Sequence, residues 1–225
     1  MIAFKALSAL LTYPSADLQV AIPEVRAALG AHATALAPLL TQLESDDITD
    51  LQESHVLLFD RSRTLSPNLF EHIHGESRDR GGAMVDLLET YRDAGSDLTG
   101  TELPDHLPVL LEFLSTQTPA AAPQMLADAG HILVALAERL MRRERAYAAV
   151  MRVLVAMAQA QLDTAEAQIL LAETDDNPED LAALDAVWTA AQVTFGPDPN
   201  AGCPVSRDIL ARMAAPVVAP AAAAE

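Results

Sequence analysis

The sequence predicts an all-α protein that folds as a single-domain helical bundle. Apolar residues make up 51% of the 225 residues, but aromatic residues make up only 4%. Alanine and leucine, which favour helices, supply much of the apolar content, and the β-branched residues typical of strands are comparatively sparse. Apolar residues also recur three and four positions apart, which is the spacing of one helix face. A chain of this length can bury one well-filled core.

The N-terminal segments fit this class. A first helix is expected over residues 3–12, because Tyr13–Pro14 forces the chain out of helical geometry. A second helix is expected over residues 15–29, with a break or a fresh start at Pro23 and a stop at Gly30.

The remaining segments continue the helical pattern. The spacing is weaker over residues 32–43, and Asp46–Asp47 can cap a helix over residues 48–60. Ser66–Pro67 opens a short helix that Gly75 interrupts. Further helices are expected between Ser77 and Gly95, from the start segment 103–108 through Leu114, over residues 124–145 and 147–162, and around Trp188, with a proline- and alanine-rich connector at residues 118–123. We therefore predict one helical domain over residues 1–195 and a poorly ordered, proline- and alanine-rich tail over residues 196–225.

The net charge of the chain argues against some classes of binding partner. Fourteen basic residues against 32 acidic ones give a formal net charge of −18. Such a surface repels phosphate backbones and anionic lipids, so we expect neither nucleic acid nor a stable membrane association. A basic segment of another protein is the partner type that this charge favours. With a single cysteine, Cys203, and no long apolar run, we expect a cytoplasmic protein without an intrachain disulfide.

The positive charge of the chain is concentrated in its second half. Arg139, Arg142, Arg143 and Arg145 lie within seven residues, and an acidic loop is expected over residues 173–180. Such an arginine cluster is typical of a solvated helix end that pairs with an acidic surface.

The central stretch, residues 70–82, differs from the rest of the chain. It places Phe70 and Ile73 among two histidines, two glutamates, two arginines, one aspartate and three glycines. Unpaired charges cost several kcal/mol when they are buried. The stretch is therefore either a recognition face on the surface or the lining of a site.

Three kinds of chemistry fit this stretch poorly. His72 and His74 are metal-ligand types, but their spacing of two residues points them apart on a helix. Ser77 lacks the final glycine and the preceding strand of a nucleophile elbow. Residues 75–82 lack the lysine of a phosphate-binding loop, although two arginines could contact an anionic group. A metal-binding helical enzyme that uses His72 and His74 is kept as the alternative function.

Two structural interpretations remain open at this point. The charged residues can form an ion-pair network that ties adjacent helices together. They can instead line a groove that reads a peptide, because apolar anchors and charges of both signs occur together.

The motifs resemble a known family. Five segments closely resemble the NarJ-type assembly chaperones of respiratory nitrate reductase. These segments are Tyr13–Pro14, Phe59–Arg63 with Ser66, Leu69–Gly81, Ala83–Leu88 and Glu102–Pro108. The similarity is looser at Trp188 and Val193–Phe195. The resemblance covers most of residues 1–200.

The resemblance implies a helical bundle of the redox-enzyme maturation chaperone type, also called TorD-like, that is not an enzyme. Members bind the N-terminal segment of the immature catalytic (alpha) subunit and hold it for insertion of the molybdenum cofactor. They are not part of the final complex and bind no cofactor permanently. Molybdenum cofactor biosynthesis proteins are further candidate partners.

On this basis we assign roles within the central stretch and its neighbours. Arg78 and Arg80 are expected to organise the carboxylates rather than to contact a basic peptide. The histidines would make binding depend on pH. The residues expected to contact the bound segment are Phe70, Glu71, His72, Ile73, His74, Glu76, Asp79, Asp86, Tyr91, Asp105 and His106.

Overall fold

The computed structural model describes residues 2–75 and 77–177, with only the backbone described at residue 78. Within these residues the regular structure is helical, and the one β contact is an isolated bridge. Short 3-10 turns cover Gly30–Thr34 and Arg63–Leu65, and a π-helical turn covers Val56–Asp60. The α-helices are α1 (Ile2–Leu11), α2 (Ala16–Leu29), α3 (Ala37–Ser45), α4 (Ile48–His55), α5 (Leu69–His74), α6 (Arg78–Asp93), α7 (Leu107–Thr116), α8 (Ala121–Asp128), α9 (Gly130–Arg142), α10 (Ala148–Met157) and α11 (Ala165–Ala172).

Two groups of helices carry the core. Helix α1 packs against α7 and α2, and α9 packs against α10 and α11. The predicted face of α1, which includes Phe4 and Leu7, is fully buried, and so is Leu111 of α7. The Ser8 hydroxyl donates a hydrogen bond of 2.7 Å to the carbonyl oxygen of Pro108, which joins α1 to α7 across 100 positions of sequence. The all-α class predicted from composition and spacing is confirmed.

Helix α2 runs through Pro23 without the predicted break. Its N-terminus is capped because the Ser15 hydroxyl accepts a hydrogen bond from the backbone of Leu18. Pro23 lies on the exposed face, where water can satisfy the carbonyl group that the ring leaves without a donor, while Ile22 is anchored in the core. Burial of the opposite face therefore outweighs the local preference of proline.

The connector predicted at residues 118–123 is wrong in its second half, because α8 already begins at Ala121. The long helix expected after it is divided at Ala129, and α9 starts at Gly130. A Cβ atom at Gly130 would lie 2.8 Å from the Cβ atom of Ala160. This close approach requires glycine at the position where α9 passes the end of α10.

The arginine cluster is only in part the solvated helix end that the sequence predicts, since Arg142 and Arg145 are exposed. Arg139 is completely buried, and Arg143 is 17% exposed at its side chain. Both arginines pair with acidic residues of the segment after α11, so the predicted pairing with acidic residues is observed. The predicted exposure is wrong for Arg139 and Arg143, because their burial depends on a segment that is distant in sequence.

The described residues belong to one compact unit, Met1–Asp180. The predicted helix around Trp188, the domain boundary at residue 195 and the tail lie outside the described residues, so these remain predictions. Among the helices that the structure describes, none combines the length and apolar character needed to span a bilayer.

Candidate functional site

A short antiparallel pairing brings two separate motifs together. The backbone N–H of Leu69 donates to the carbonyl oxygen of Asp105 at 3.1 Å, and that of Leu107 donates to Pro67 at 2.8 Å. The segment before α5 is thereby paired with the segment before α7. The central stretch and the Glu102–Pro108 motif form one site through this pairing, in which Asn68 meets His106, 38 positions further along the chain.

Asp105 stabilises this junction from a buried position. Its side chain is fully buried, and its Oδ2 accepts a hydrogen bond of 3.0 Å from the backbone N–H of Phe70, in the first turn of α5. Its Oδ1 atom has no hydrogen-bond partner. Burial raises the pKa of Asp105, against the opposing effects of the Phe70 N–H and of Arg80.

Arg80 lies between two carboxylates. Its Nη2 atom is 3.1 Å from Oε1 of Glu71 and 3.9 Å from Oδ2 of Asp105. The side chains of Arg80 and Glu71 are 19% and 25% exposed. We call these three residues the ion-pair cluster. The ion-pair cluster joins α5, α6 and the segment before α7, as a network that ties helices together would. Arg80 lies between the two carboxylates of this cluster, which is the position expected of an organising residue.

The three histidines of the predicted site have different surroundings. Nε2 of His72 is 2.9 Å from the carbonyl oxygen of Ser66, and burial lowers the pKa of His72. His74 is half-buried against the ring of Phe70, with 5.8 Å between ring centroids. Nδ1 of His106 is 3.7 Å from Oε2 of Glu102, and burial lowers the pKa of His106.

No arrangement of metal ligands is present in residues 2–75 and 77–177. A search for three or more neighbouring His, Cys, Asp or Glu side chains finds no such group there. The hydrogen bond of His72 to Ser66 also occupies one of its two ring nitrogens.

Several predicted contact residues lie on the surface. Asp79 and Asp86 are exposed, Ile73 is 51% exposed, and Phe70 is half-buried. Glu76 and the side chain of Arg78 fall outside the described residues. The exposed members form a surface of apolar and acidic groups along α5 and α6.

Tyr91 has a supporting position. It is buried, its hydroxyl donates a hydrogen bond of 2.8 Å to the carbonyl oxygen of Pro104, and its ring centroid is 4.4 Å from that of Phe113. Burial raises the pKa of its hydroxyl. Tyr91 and Asp105 therefore hold the 102–108 segment in place, and in this conformation neither offers its side chain broadly to a ligand. Met84, Leu87 and Leu88, whose spacing with Tyr91 is that of one helix face, are only half-buried.

A groove lies beside this junction. It has a volume of about 560 Å³ and runs between α1, α7 and the loop after α6. Its acidic lining residues are Asp97, Glu102 and Glu112, and none of the lysines and arginines in the described part of the chain lines it. The rest of the lining combines apolar side chains, among them Val109 and Phe113, with serine and threonine residues such as Ser8 and Thr116. We call it the acidic groove.

The acidic groove contains residues that the sequence analysis missed. Of the predicted residues only Tyr91 and His106 line it, whereas Asp97, Val109 and Glu112 were not singled out. The only sequence signal was the excess of acidic residues, which are too numerous to distinguish individually. The groove exists because α1 and α7 pack together, a contact that local pattern does not encode.

A larger groove of about 980 Å³ lies between α9, α10 and α11. Its charged lining residues are Arg142, Arg152 and Glu138, so basic groups outnumber acidic ones. This groove has the wrong charge for a basic segment.

Comparison with known proteins assigns the chain to a family. The model of the nitrate reductase delta subunit family matches residues 22–153. The chain belongs to this family. It is 41% identical to the nitrate reductase molybdenum cofactor assembly chaperone NarJ of Escherichia coli K12 over 211 residues, covering 90% of this chain and 88% of the relative. It is also 38% identical over 201 residues to the probable nitrate reductase molybdenum cofactor assembly chaperone NarW of the same organism, covering 88% and 86%.

A solved structure agrees with the fold. A protein of Archaeoglobus fulgidus described as a redox enzyme maturation protein superposes with a TM-score of 0.53 at 25% identity, covering 69% of this chain and 91% of that one. The two relatives from E. coli are named as assembly chaperones and not as enzymes. The predicted NarJ-type family, the helical maturation-chaperone fold and the absence of an enzymatic role are thereby confirmed.

Proposed function

We propose that this protein is a chaperone that binds the N-terminal segment of the immature catalytic subunit of a respiratory nitrate reductase. It holds that segment while the molybdenum cofactor is inserted and the complex assembles, and it leaves before the enzyme is complete. The observation that carries the proposal is the 41% identity to an assembly chaperone across 90% of this chain.

The acidic groove is the surface that best fits such a segment. An amphipathic helix needs an apolar slot for one face and opposite charge for the other. Val109 and Phe113 supply apolar lining, and Asp97, Glu102 and Glu112 supply negative charge. Asp97 lies 3.7 Å from Nε of Arg92, and Glu102 lies 3.7 Å from Nδ1 of His106. Charge complementarity of this kind mainly speeds the encounter and selects against acidic partners.

The residues predicted for peptide contact divide into two roles. Exposed residues of α5 and α6, such as Ile73, Asp79 and Asp86, are available for further contacts with the segment. Asp105 and Tyr91 are buried, so we propose that they position the groove rather than touch the segment. The assignments of Phe70, Glu71, His72, His74, Glu76 and His106 as contact residues, and of Arg78 and Arg80 as organising residues, stay proposals.

The cofactor is cargo for the partner in this proposal. The chaperone itself retains no cofactor, and its working compartment is the cytoplasm, where the catalytic subunit is made. Molybdenum cofactor biosynthesis proteins are further proposed partners. The alternative of a metal-binding enzyme that uses His72 and His74 is not favoured, because the hydrogen bond of His72 to Ser66 occupies one ring nitrogen and the relatives are chaperones.

Peptide calorimetry tests the proposal. A synthetic peptide of the reductase subunit's N-terminal segment should bind the full chain, and adding salt should weaken binding. Glu102→Gln and Glu112→Gln should each raise the dissociation constant about twofold to fivefold, since a rim charge contributes roughly 0.2–1 kcal/mol. Val109→Lys should raise it about tenfold or more, because it places a positive charge in the apolar lining.

Glu138→Gln is the matched control, because Glu138 lines the larger groove on α9. It removes one negative charge from the chain without touching the acidic groove, and binding should stay unchanged. Equal weakening by Glu138→Gln and Glu112→Gln would show that only overall charge matters. Failure of the wild-type chain to bind the peptide would contradict the proposed function itself.

A further inference from the structure

The segment after α11 is held without any apolar contact of its own. Residues 173–177 are Glu, Thr, Asp, Asp and Asn, and none of their side chains is buried. We call this segment the strap. Because burial of apolar surface contributes nothing here, polar contacts with the rest of the domain must hold the strap in place.

Asp176 makes most of these contacts. Its Oδ1 accepts hydrogen bonds from the hydroxyls of Ser62, at 2.7 Å, and Thr64, and it lies 3.1 Å from Nη2 of Arg143. Its Oδ2 is 3.4 Å from the backbone nitrogen of Thr64. Burial alone would raise the pKa of Asp176, but the bonds from Thr64, Ser62 and Arg143 outweigh it and lower that pKa.

Arg139 lies next to Thr64, one of these donors. Its guanidinium donates to the carbonyl oxygens of Thr64, at 2.9 Å, and Leu170. Its Nε is 2.9 Å from Oδ1 of Asp175, although the two atoms make no hydrogen bond. Glu173 is 3.8 Å from Nη2 of Arg139 and 61% exposed, so it contributes little.

The donors around Asp176 are those that a phosphate group uses. Two hydroxyls, one backbone N–H and a guanidinium converge on a single carboxylate, and a second guanidinium lies behind them. Arginine pairs with phosphate as readily as with carboxylate, and phosphate offers a third oxygen for the same donors. A carboxylate of the chain itself therefore occupies a position built to hold an anion.

We propose that Ser62, Thr64, Arg139 and Arg143 form a phosphate-binding site that the strap occupies and that a phosphate-bearing ligand opens. The net charge of −18 does not prevent this, because charges beyond the Debye length of about 8 Å are largely screened. Displacement of Asp175 and Asp176 would free Nη2 of Arg143 and Nε of Arg139 to face the anion. This inference does not depend on the peptide-binding function, since it concerns the end of α9 and not the acidic groove.

The wild-type chain provides the first test. Inorganic phosphate and pyrophosphate are titrated into the isotope-labelled full chain, with sodium chloride at matched ionic strength as the reference. We expect saturable shifts of the Thr64 amide and of the Arg139 and Arg143 Nε–H signals with both anions, and none with chloride. Pyrophosphate binding alone would identify a diphosphate as the ligand class. Unchanged signals with both anions would overturn the proposal.

Variants provide the second test. Asp176→Asn should tighten phosphate binding about tenfold or more, because the competing carboxylate is gone and a larger fraction of the site is open. Arg143→Gln should abolish binding. Arg142→Gln is the matched control, since this neighbouring arginine is 49% exposed and pairs with Glu138. Equal loss in Arg142→Gln and Arg143→Gln would show non-specific attraction and overturn the site. Peptide calorimetry on the same variants should stay unchanged, so failure of either proposal is seen separately.

Discussion

The replacement of Arg139 by methionine tests the buried arginine directly. Methionine retains most of the volume but removes the charge and the donors, so the carbonyl oxygens of Thr64 and Leu170 each lose a hydrogen-bond donor. An acceptor left unsatisfied in a buried site costs roughly 1–3 kcal/mol. Asp175 is 30% exposed, so water can compensate much of its lost ion pair.

The expected loss in free energy of unfolding is about 3 kcal/mol, measured by urea denaturation followed by circular dichroism. For a chain of this size the midpoint of thermal unfolding should fall by roughly 6–12 °C. Arg142→Met is the control, because Arg142 is 49% exposed and its pair with Glu138 is 3.4 Å long. That variant should lose at most about 0.5 kcal/mol.

The reasoning would be refuted if Arg139→Met lost no more stability than Arg142→Met. Such a result would mean that Arg139 is hydrated in solution and that the strap does not cover it. A large loss in Arg139→Met alone would confirm that one position of the arginine cluster belongs to the interior.

Two further predictions concern backbone packing and pH. Gly130→Ala should lower the free energy of unfolding, measured by urea denaturation, by about 1–3 kcal/mol, because the new Cβ would lie 2.8 Å from that of Ala160. Gly81→Ala is the control, since its Cβ would meet no atom within 4 Å, and it should raise the free energy of unfolding by up to about 1 kcal/mol. Equal effects of the two substitutions would contradict the close approach. Burial lowers the pKa of His72 below 6.5, so the folded state binds this proton less readily than the unfolded state, and stability is lost as pH falls below 6.5. His72→Gln, which keeps a donor for Ser66, should flatten the stability profile between about pH 7.5 and 5, and an unchanged slope would contradict this assignment.

The helical class and most helix positions follow from local sequence. Periodic apolar residues predicted α1 and α7 because a helix face has a fixed spacing, and Asp47 caps α4 where the sequence placed a cap. The break expected at Pro23 does not occur because burial of the opposite face of α2 outweighs the cost of proline. The division at Gly130 was missed because it depends on Ala160, which lies thirty positions away.

Local sequence predicted less of the candidate site than of the fold, because the site depends on tertiary contacts. The motifs around Phe70 and Asp105 were recognised in sequence, but their pairing through Leu69 and Leu107 is a tertiary contact. The acidic groove arises where α1 meets α7, and its lining residue Glu112 carries no distinguishing pattern.

By itself the sequence determined the helical architecture, the acidic character and the family, because spacing, composition and motifs are local properties of the chain. The tertiary structure alone decided which charges are buried. Arg139 and Arg142 are the same residue type three positions apart, yet one is covered by α11 and the strap and the other faces solvent. The physical reason is that desolvation depends on what packs against a side chain, and those neighbours come from segments more than thirty residues away.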